Sequence, residues 1–377
     1  MVTTPKRVSE TGNLMDEELK EKEARLWRFL EARGLEGVLI SKRSNFAWIT
    51  CGGDNHVFLS SEVGAASLLI KRAGKYLLAH TMDGDRIMSE ELSDQGIELK
   101  AYSWYEGRRK ILEELTQGYR IGSDVPMSGL EPIDRSWREI IFPLTPREME
   151  RAQDLGRLAD AAITSVCYQV QPGDSEVDVA GMLGEAYLER GMNIDVLLVG
   201  SDERLYNYRH CLPTSKRIKR HLLTHVAAQK WGLHANLTRL IHFGRVPEDL
   251  AHRHRAVSYV HATILANLEP GRRFVDLFQK IKSAYAESGF PDEWRGHFQG
   301  GPAAYEACEP YLLLDPEARI QMNETYDWLP TVPGTKTEEL SLLTEAGASV
   351  ISLGPGWPRL TFAIEGRTIA MPDILER

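Results

Sequence analysis

The chain has 377 residues, 42% of them hydrophobic and 26% charged, with 45 basic against 54 acidic side chains and a net charge of −9. That composition excludes a disordered chain, and the negative balance disfavours nucleic acid and anionic membrane surfaces as partners. No apolar run reaches the roughly 18 residues that a membrane span requires, and MVTTPKRVSETGNLMDEELKEKE lacks the apolar centre of a signal peptide. Four cysteines (Cys51, Cys167, Cys211 and Cys308) stand in no CxxC spacing. Free thiols in a reducing, cytoplasmic compartment are therefore expected.

At about 150 residues per domain, the length suits two domains. Residues 1–14 are polar and are expected to be a flexible tail. A helix is predicted from Met15 to Gly34, with Leu19, Leu26, Phe29 and Leu30 on one face and the glycine closing it. Short β-like runs follow at 37–40, 65–70 and 75–80, then an acidic helix at 83–92, a strand at 97–104 and a helix from Arg108. Strands and helices alternating at this spacing predict a small α/β domain over residues 15–144. In FPLTPREME, Thr145 suits an N-cap, Pro146 the first helical position and Glu148 the closing residue of a capping box. A long helix and a second domain, residues 145–377, are predicted to start there.

The second domain contains an internal repeat. QPGDSEVDVAGMLGEAYLERG (171–191) aligns without gaps to EPGRRFVDLFQKIKSAYAESG (269–289), with eight of 21 positions identical. Shared positions include Pro172/Pro270, Gly173/Gly271, Asp178/Asp276, Tyr187/Tyr285 and Gly191/Gly289. Each copy reads as a Pro-Gly turn and an amphipathic helix closed by glycine. Strand-like runs follow both copies, DVLLV (195–199) after the first and YLLL (311–314) after the second. Two copies predict a duplicated α/β half-domain with pseudo-two-fold symmetry and a site between the halves.

Several stretches resemble a known superfamily. HANLTRLIHFG (234–244), EWRGHFQGGPAAY (293–305) and WLPTVPGTKTEE (328–339) resemble the pita-bread domain of creatinase, aminopeptidase P and methionine aminopeptidase. RSNFAWITCGG (43–53) resembles the N-terminal domain that creatinase and aminopeptidase P add to it. More closely still, these stretches resemble a divergent bacterial aminopeptidase-P-like branch with degenerate metal ligands. The resemblance covers roughly residues 15–377 and implies an α/β (α+β) chain: a small creatinase-like domain followed by a pita-bread domain. It further implies a homodimer, in which RSNFAWIT could reach the partner's cleft.

The superfamily's metallopeptidases hold two metal ions with two aspartates, a histidine and two glutamates. Carried over by the resemblance, these fall on His225, Asn236, His297, Leu329 and Glu338. Three of five are changed, and one formal negative charge remains against about +4 for a dinuclear site. The two-metal mechanism is therefore not expected, nor is any other cofactor. His225, His297 and Glu338 are left as a His₂Glu set for a single zinc or iron. Creatinase works without metal, through a general acid/base histidine whose match here is His210 in NYRHCLPT (207–214).

The leading expectation is thus a metal-independent, creatinase-like enzyme on a small polar amino-acid-like substrate, cleaving or rearranging a C–N or C–C bond. His210 moves the proton, with His297 and Glu338 as the other catalytic groups. Arg239, Asn236, Tyr305, Glu309 and Trp328 are the expected substrate contacts, with an Arg239–Glu338 ion pair as the structural alternative for Arg239. One competing expectation is a hydrolase like an Xaa-Pro aminopeptidase, with one metal on His225, His297 and Glu338. Another is a catalytically silent relative that binds a peptide or protein.

Overall fold

The computed structural model describes residues 10–133 and 135–377. It divides into two compact units, one ending at Arg147 and one spanning Glu148–Arg377. The expected flexible tail falls partly on residues 1–9, outside the described residues; from Glu10 the chain is already helical.

In the first unit, helix α1 (Glu10–Ala32) buries Leu26, Phe29 and Leu30. Gly34 at φ 63° ends the turn, and Leu35 N–H returns to the Leu30 carbonyl at 2.9 Å, a glycine-dependent C-terminal closure. Strands β1 (Gly37–Lys42), β2 (Val63–Lys71), β3 (Gly74–His80), β4 (Ile97–Tyr102), β5 (Ile121–Ser123) and β6 (Glu131–Pro132) form one mixed sheet in the order β4-β3-β2-β1-β5-β6. Helices α2 (Arg43–Ile49), α3 (Gly84–Arg86), α4 (Arg109–Thr116) and α5 (Arg138–Ile141) complete it. The acidic helix expected at 83–92 is α3 running into a single π turn over Ile87–Glu91.

Most of the RSNFAWIT stretch is core. Asn45 to Ile49 are buried, and the Asn45 amide donates to Asp124 at 3.0 Å while accepting from the Trp137 indole at 2.8 Å. Those bonds anchor the motif within its own unit.

The second unit opens with α6 (Pro146–Cys167, helical across the unit border), α7 (Glu176–Leu188), β7 (Asn193–Ser201), the short α8 (Arg204–Asn207), β8 (His221–Lys230) and β9 (Leu233–His242). Its second half repeats the plan with α9 (Glu248–Ala266), α10 (Phe274–Glu287), β10 (Gly300–Pro302), β11 (Thr325–Trp328), the tight pair β12 (Thr331–Val332) and β13 (Thr335–Lys336), β14 (Glu339–Thr344) and β15 (Gly347–Val350). A hairpin of β16 (Arg359–Ile364) and β17 (Arg367–Pro372) follows, then β18 (Leu375–Glu376) beside β9. The two main sheets run β18-β9-β8-β7 and β10-β11-β14-β15. They meet where Thr238 N–H donates to the Glu338 carbonyl at 3.0 Å.

The repeat is visible bond by bond. Gly173 N–H binds the Ile218 carbonyl at 2.9 Å, and Gly271 N–H binds the Ile320 carbonyl at 2.8 Å. Ser175 bridges Arg217 in one half, and Arg273 bridges Arg319 in the other. Arg217 and Arg319 each donate to the carbonyl of the turn glycine, Gly173 and Gly271. Identical Pro-Gly turns thus receive the same returning strand in both halves. The YLLL run differs from expectation: it is a 3₁₀ turn over Pro310–Leu314. Pro310 favours a helical start, and β10 and β11 fill the strand positions of that half.

Candidate functional site

Four strands and one loop bring the site together. On β8 and β9, His225 pairs in register with Thr238, and Ala227 with Asn236. The tight β12–β13 turn at Gly334 (φ 92°) delivers Lys336 and Glu338, two residues apart and so on one face of extended chain. β11 supplies Asp327.

Glu338 is the hub. Its carboxylate accepts from His225 Nδ1 at 2.8 Å and from Thr238 Oγ1 at 3.0 Å, and it forms an ion pair with the Lys336 ammonium. The Lys336 and Glu338 side chains are only 6% and 3% exposed. Burial works to raise Glu338, but the adjacent His225 and Lys336 outweigh it and hold the carboxyl well below the usual range. Asp327 moves the other way: burial, reinforced by the Glu338 charge, lifts it well above the usual carboxylate range. The cluster therefore favours the charged form of Glu338 against Lys336 and shifts Asp327 toward its protonated form. Asn236 donates to Asp327 at 2.9 Å and to the Ala307 carbonyl at 2.9 Å, while its own buried Oδ1 has no partner among the described residues.

At the mouth, His210 and His297 face each other with their Nε2 atoms 2.9 Å apart and their rings nearly perpendicular. Burial lowers both, helped by the Lys336 charge, and brings His297 to about 4. Both imidazoles are neutral at pH 7, which determines their tautomers. His297 Nδ1 lies 2.7 Å from the Phe298 carbonyl, an acceptor only, so Nδ1 carries the hydrogen. His297 Nε2 then accepts from His210 Nε2–H, leaving the lone pair of His210 on Nδ1. Burial and the neighbouring carboxyls push the Cys308 thiol well above the usual range, toward its less nucleophilic protonated form.

Among the other expected site residues, two serve the interior. Arg239 is fully buried and pairs with Asp160 at 2.7 Å and with Glu339, not with Glu338; it also donates to the Ser352 carbonyl at 2.8 Å. It holds β9 to its neighbours and is corrected from a substrate contact to a structural one. Trp328 is corrected likewise, because it is wholly buried and stacked on Tyr326 within the α9–α10 core. Tyr305 is buried with its hydroxyl donating to Glu148 at 2.6 Å. Glu309 is partly buried at the entry to the Pro310 turn, where its N–H binds the Pro302 carbonyl at 2.9 Å.

Lys336 and Asp327 are the residues that sequence reasoning passed over. Lys336 was legible in principle, being two positions from Glu338 on an extended segment. Asp327 carried no local signal, since only the β11–β14 pairing brings it to Glu338.

The donor set does not fit a metal pair. Among the described residues, no three His, Cys, Asp or Glu side chains converge as ligands. Of the carried-over positions, Leu329 has no donor, Asn236 points its amide at Asp327, and His297 Nε2 is taken by His210. The His225, His297 and Glu338 set is not assembled, because Glu338 is engaged by His225 and Lys336 while His297 turns to His210.

Residues 150–326 match the Peptidase_M24 family, described as metallopeptidase family M24. No curated protein matches the chain. Solved structures share the fold at low identity. An Xaa-Pro dipeptidase from Bacillus anthracis superposes with a TM-score of 0.73 at 16% identity, over 95% of this chain and 100% of that one. An X-Pro aminopeptidase from Thermotoga maritima gives 0.72 at 15%, over 91% and 98%. A prolidase from Pyrococcus furiosus gives 0.71 at 16%, over 87% and 99%. The family match takes in the strands and loops that carry His210, His225, Asn236 and His297 and stops short of Asp327, Lys336 and Glu338, and the chain carries the pita-bread fold of the creatinase and aminopeptidase superfamily.

Proposed function

We propose that the protein is a hydrolase of small peptide-like amides that works with its own histidines in place of metal-bound water. The family match and the peptidase activity for which its structural neighbours are named support hydrolysis over the wider range of C–N and C–C chemistry expected from the sequence. The observation that carries the reading is the His210–His297 pair at 2.9 Å, with a free lone pair on His210 Nδ1. In this reading His210 Nδ1 takes a proton from water as its oxygen bonds to the amide carbon. The resulting imidazolium returns that proton to the departing nitrogen as the C–N bond breaks. His297 is a positioning residue that accepts from Nε2–H and so keeps Nδ1 available.

A second reading, a single-metal Xaa-Pro-type hydrolase, is favoured by the family's metallopeptidase character. Chelator-treated protein assayed on dipeptides, including those with a second-position proline, separates the two. Turnover without added metal, lowered about 10²–10⁴-fold by His210→Ala with folding intact, is the expected result. Turnover that needs Mn²⁺, Co²⁺ or Zn²⁺ and is abolished by His225→Ala instead establishes the second reading. Binding of dipeptides with no turnover under either condition overturns both in favour of a silent relative.

A further inference from the structure

We infer that Lys336 is a resident cation standing in for the metal that the family's name implies, so that the native chain takes up no divalent ion at Glu338. The charge arrangement carries this. The Glu338 carboxylate is buried, and its Oε2 already receives His225, Thr238 and the Lys336 ammonium. A divalent ion bound through that oxygen would sit about 2.0–2.2 Å from it. It would have to expel an ammonium that is 94% buried in side-chain terms and held on a two-residue strand between the Gly334 turn and Thr337.

The rest of the surroundings point the same way. Leu329 and Asn236 stand at two positions onto which acidic ligands are carried by the resemblance, and neither supplies charge. A buried carboxylate still needs a counter-charge. Lys336 supplies it covalently, at fixed stoichiometry and independently of metal supply. The swap is self-consistent: fewer acidic ligands, and one built-in positive charge in place of several units brought by metal.

The test does not depend on the hydrolase reading, because it needs no substrate. Full-length wild type and Lys336→Met are stripped with chelator, incubated with Co²⁺ or Zn²⁺, gel-filtered, and analysed for metal content, Co²⁺ absorption and Tm. Wild type is expected to retain only substoichiometric metal with an unchanged Tm. Lys336→Met should have a lower Tm that metal raises by at least about 3 °C, with ligand-field bands from bound Co²⁺. Stoichiometric uptake by wild type overturns the inference, and so does a folded Lys336→Met that binds nothing. If Lys336→Met does not fold, Lys336→Arg decides: it must fold and remain metal-free, and metal uptake by that variant is equally fatal.

Discussion

Arg239 shows how far a side chain's identity determines its task. Its position after Thr238 in LTRL was conspicuous in the sequence, and an arginine beside a suspected cleft reads naturally as a substrate clamp. Its actual work is internal, between Asp160 and Glu339, with the guanidinium 5.3 Å from the Trp357 ring centre. Removing one member of a buried charge network leaves the others uncompensated. Arg239→Met is therefore expected to destabilise the protein by about 3–5 kcal/mol, read from denaturant midpoints. A loss below about 1 kcal/mol would contradict this structural role. His210 and His297, by contrast, were legible as a pair of candidates, but not as a hydrogen-bonded pair. They are 87 positions apart, and only the fold makes them neighbours. The same holds for Asp327, whose raised pKa comes from surroundings gathered across several strands.

At the scale of elements, the internal repeat was the clearest message, because Pro-Gly turns and closing glycines impose local geometry without help from distant residues. The matched bonds of Gly173 and Gly271 express that local rule twice. The 311–314 run misled because an apolar tetrapeptide is compatible with strand or helical turn until its neighbours are known. Glycines near the site make a sharper test. Gly300 has φ 102°, and a Cβ there would sit 2.1 Å from the Asp327 carbonyl oxygen. Gly300→Ala should cost at least about 1–3 kcal/mol and disturb the loop that carries His297. The imidazole NMR signals of His210 and His297 are expected to shift in this variant. Gly181→Ala on α7, where a Cβ meets nothing within 4 Å, should instead stabilise by about 0.5–1 kcal/mol. Equal effects of the two substitutions would contradict the close approach at Gly300.

For the molecule as a whole, buried imidazoles link stability to pH. His221, His225, His254, His261 and His297 all lie below the ordinary histidine value, chiefly through burial, with His261 at about 3. The unfolded chain binds protons from about pH 6.5 downward while these folded imidazoles do not, so stability falls as pH drops through that window. His261 alone accounts for about 2 kcal/mol at pH 5. Its Nδ1 is 3.1 Å from Thr337 Oγ1, and its buried Nε2 has no partner among the described residues. The Tm should decline between pH 7 and 5, and His261→Leu should flatten that decline; parallel curves for variant and wild type would exclude this origin. These linkages were invisible in the sequence, where a histidine on an apolar helix face shows neither its depth nor its partners. What the sequence determined by itself was everything governed by short-range rules: helix ends, Pro-Gly turns, the duplicated half-domain, and the motifs that mark the superfamily. The tertiary structure alone decided which distant charges join Lys336 at Glu338, because His225 and Asp327 reach that carboxylate only after separate strand pairings have formed. Electrostatic energies depend on distance and burial, and neither is a property of residue order.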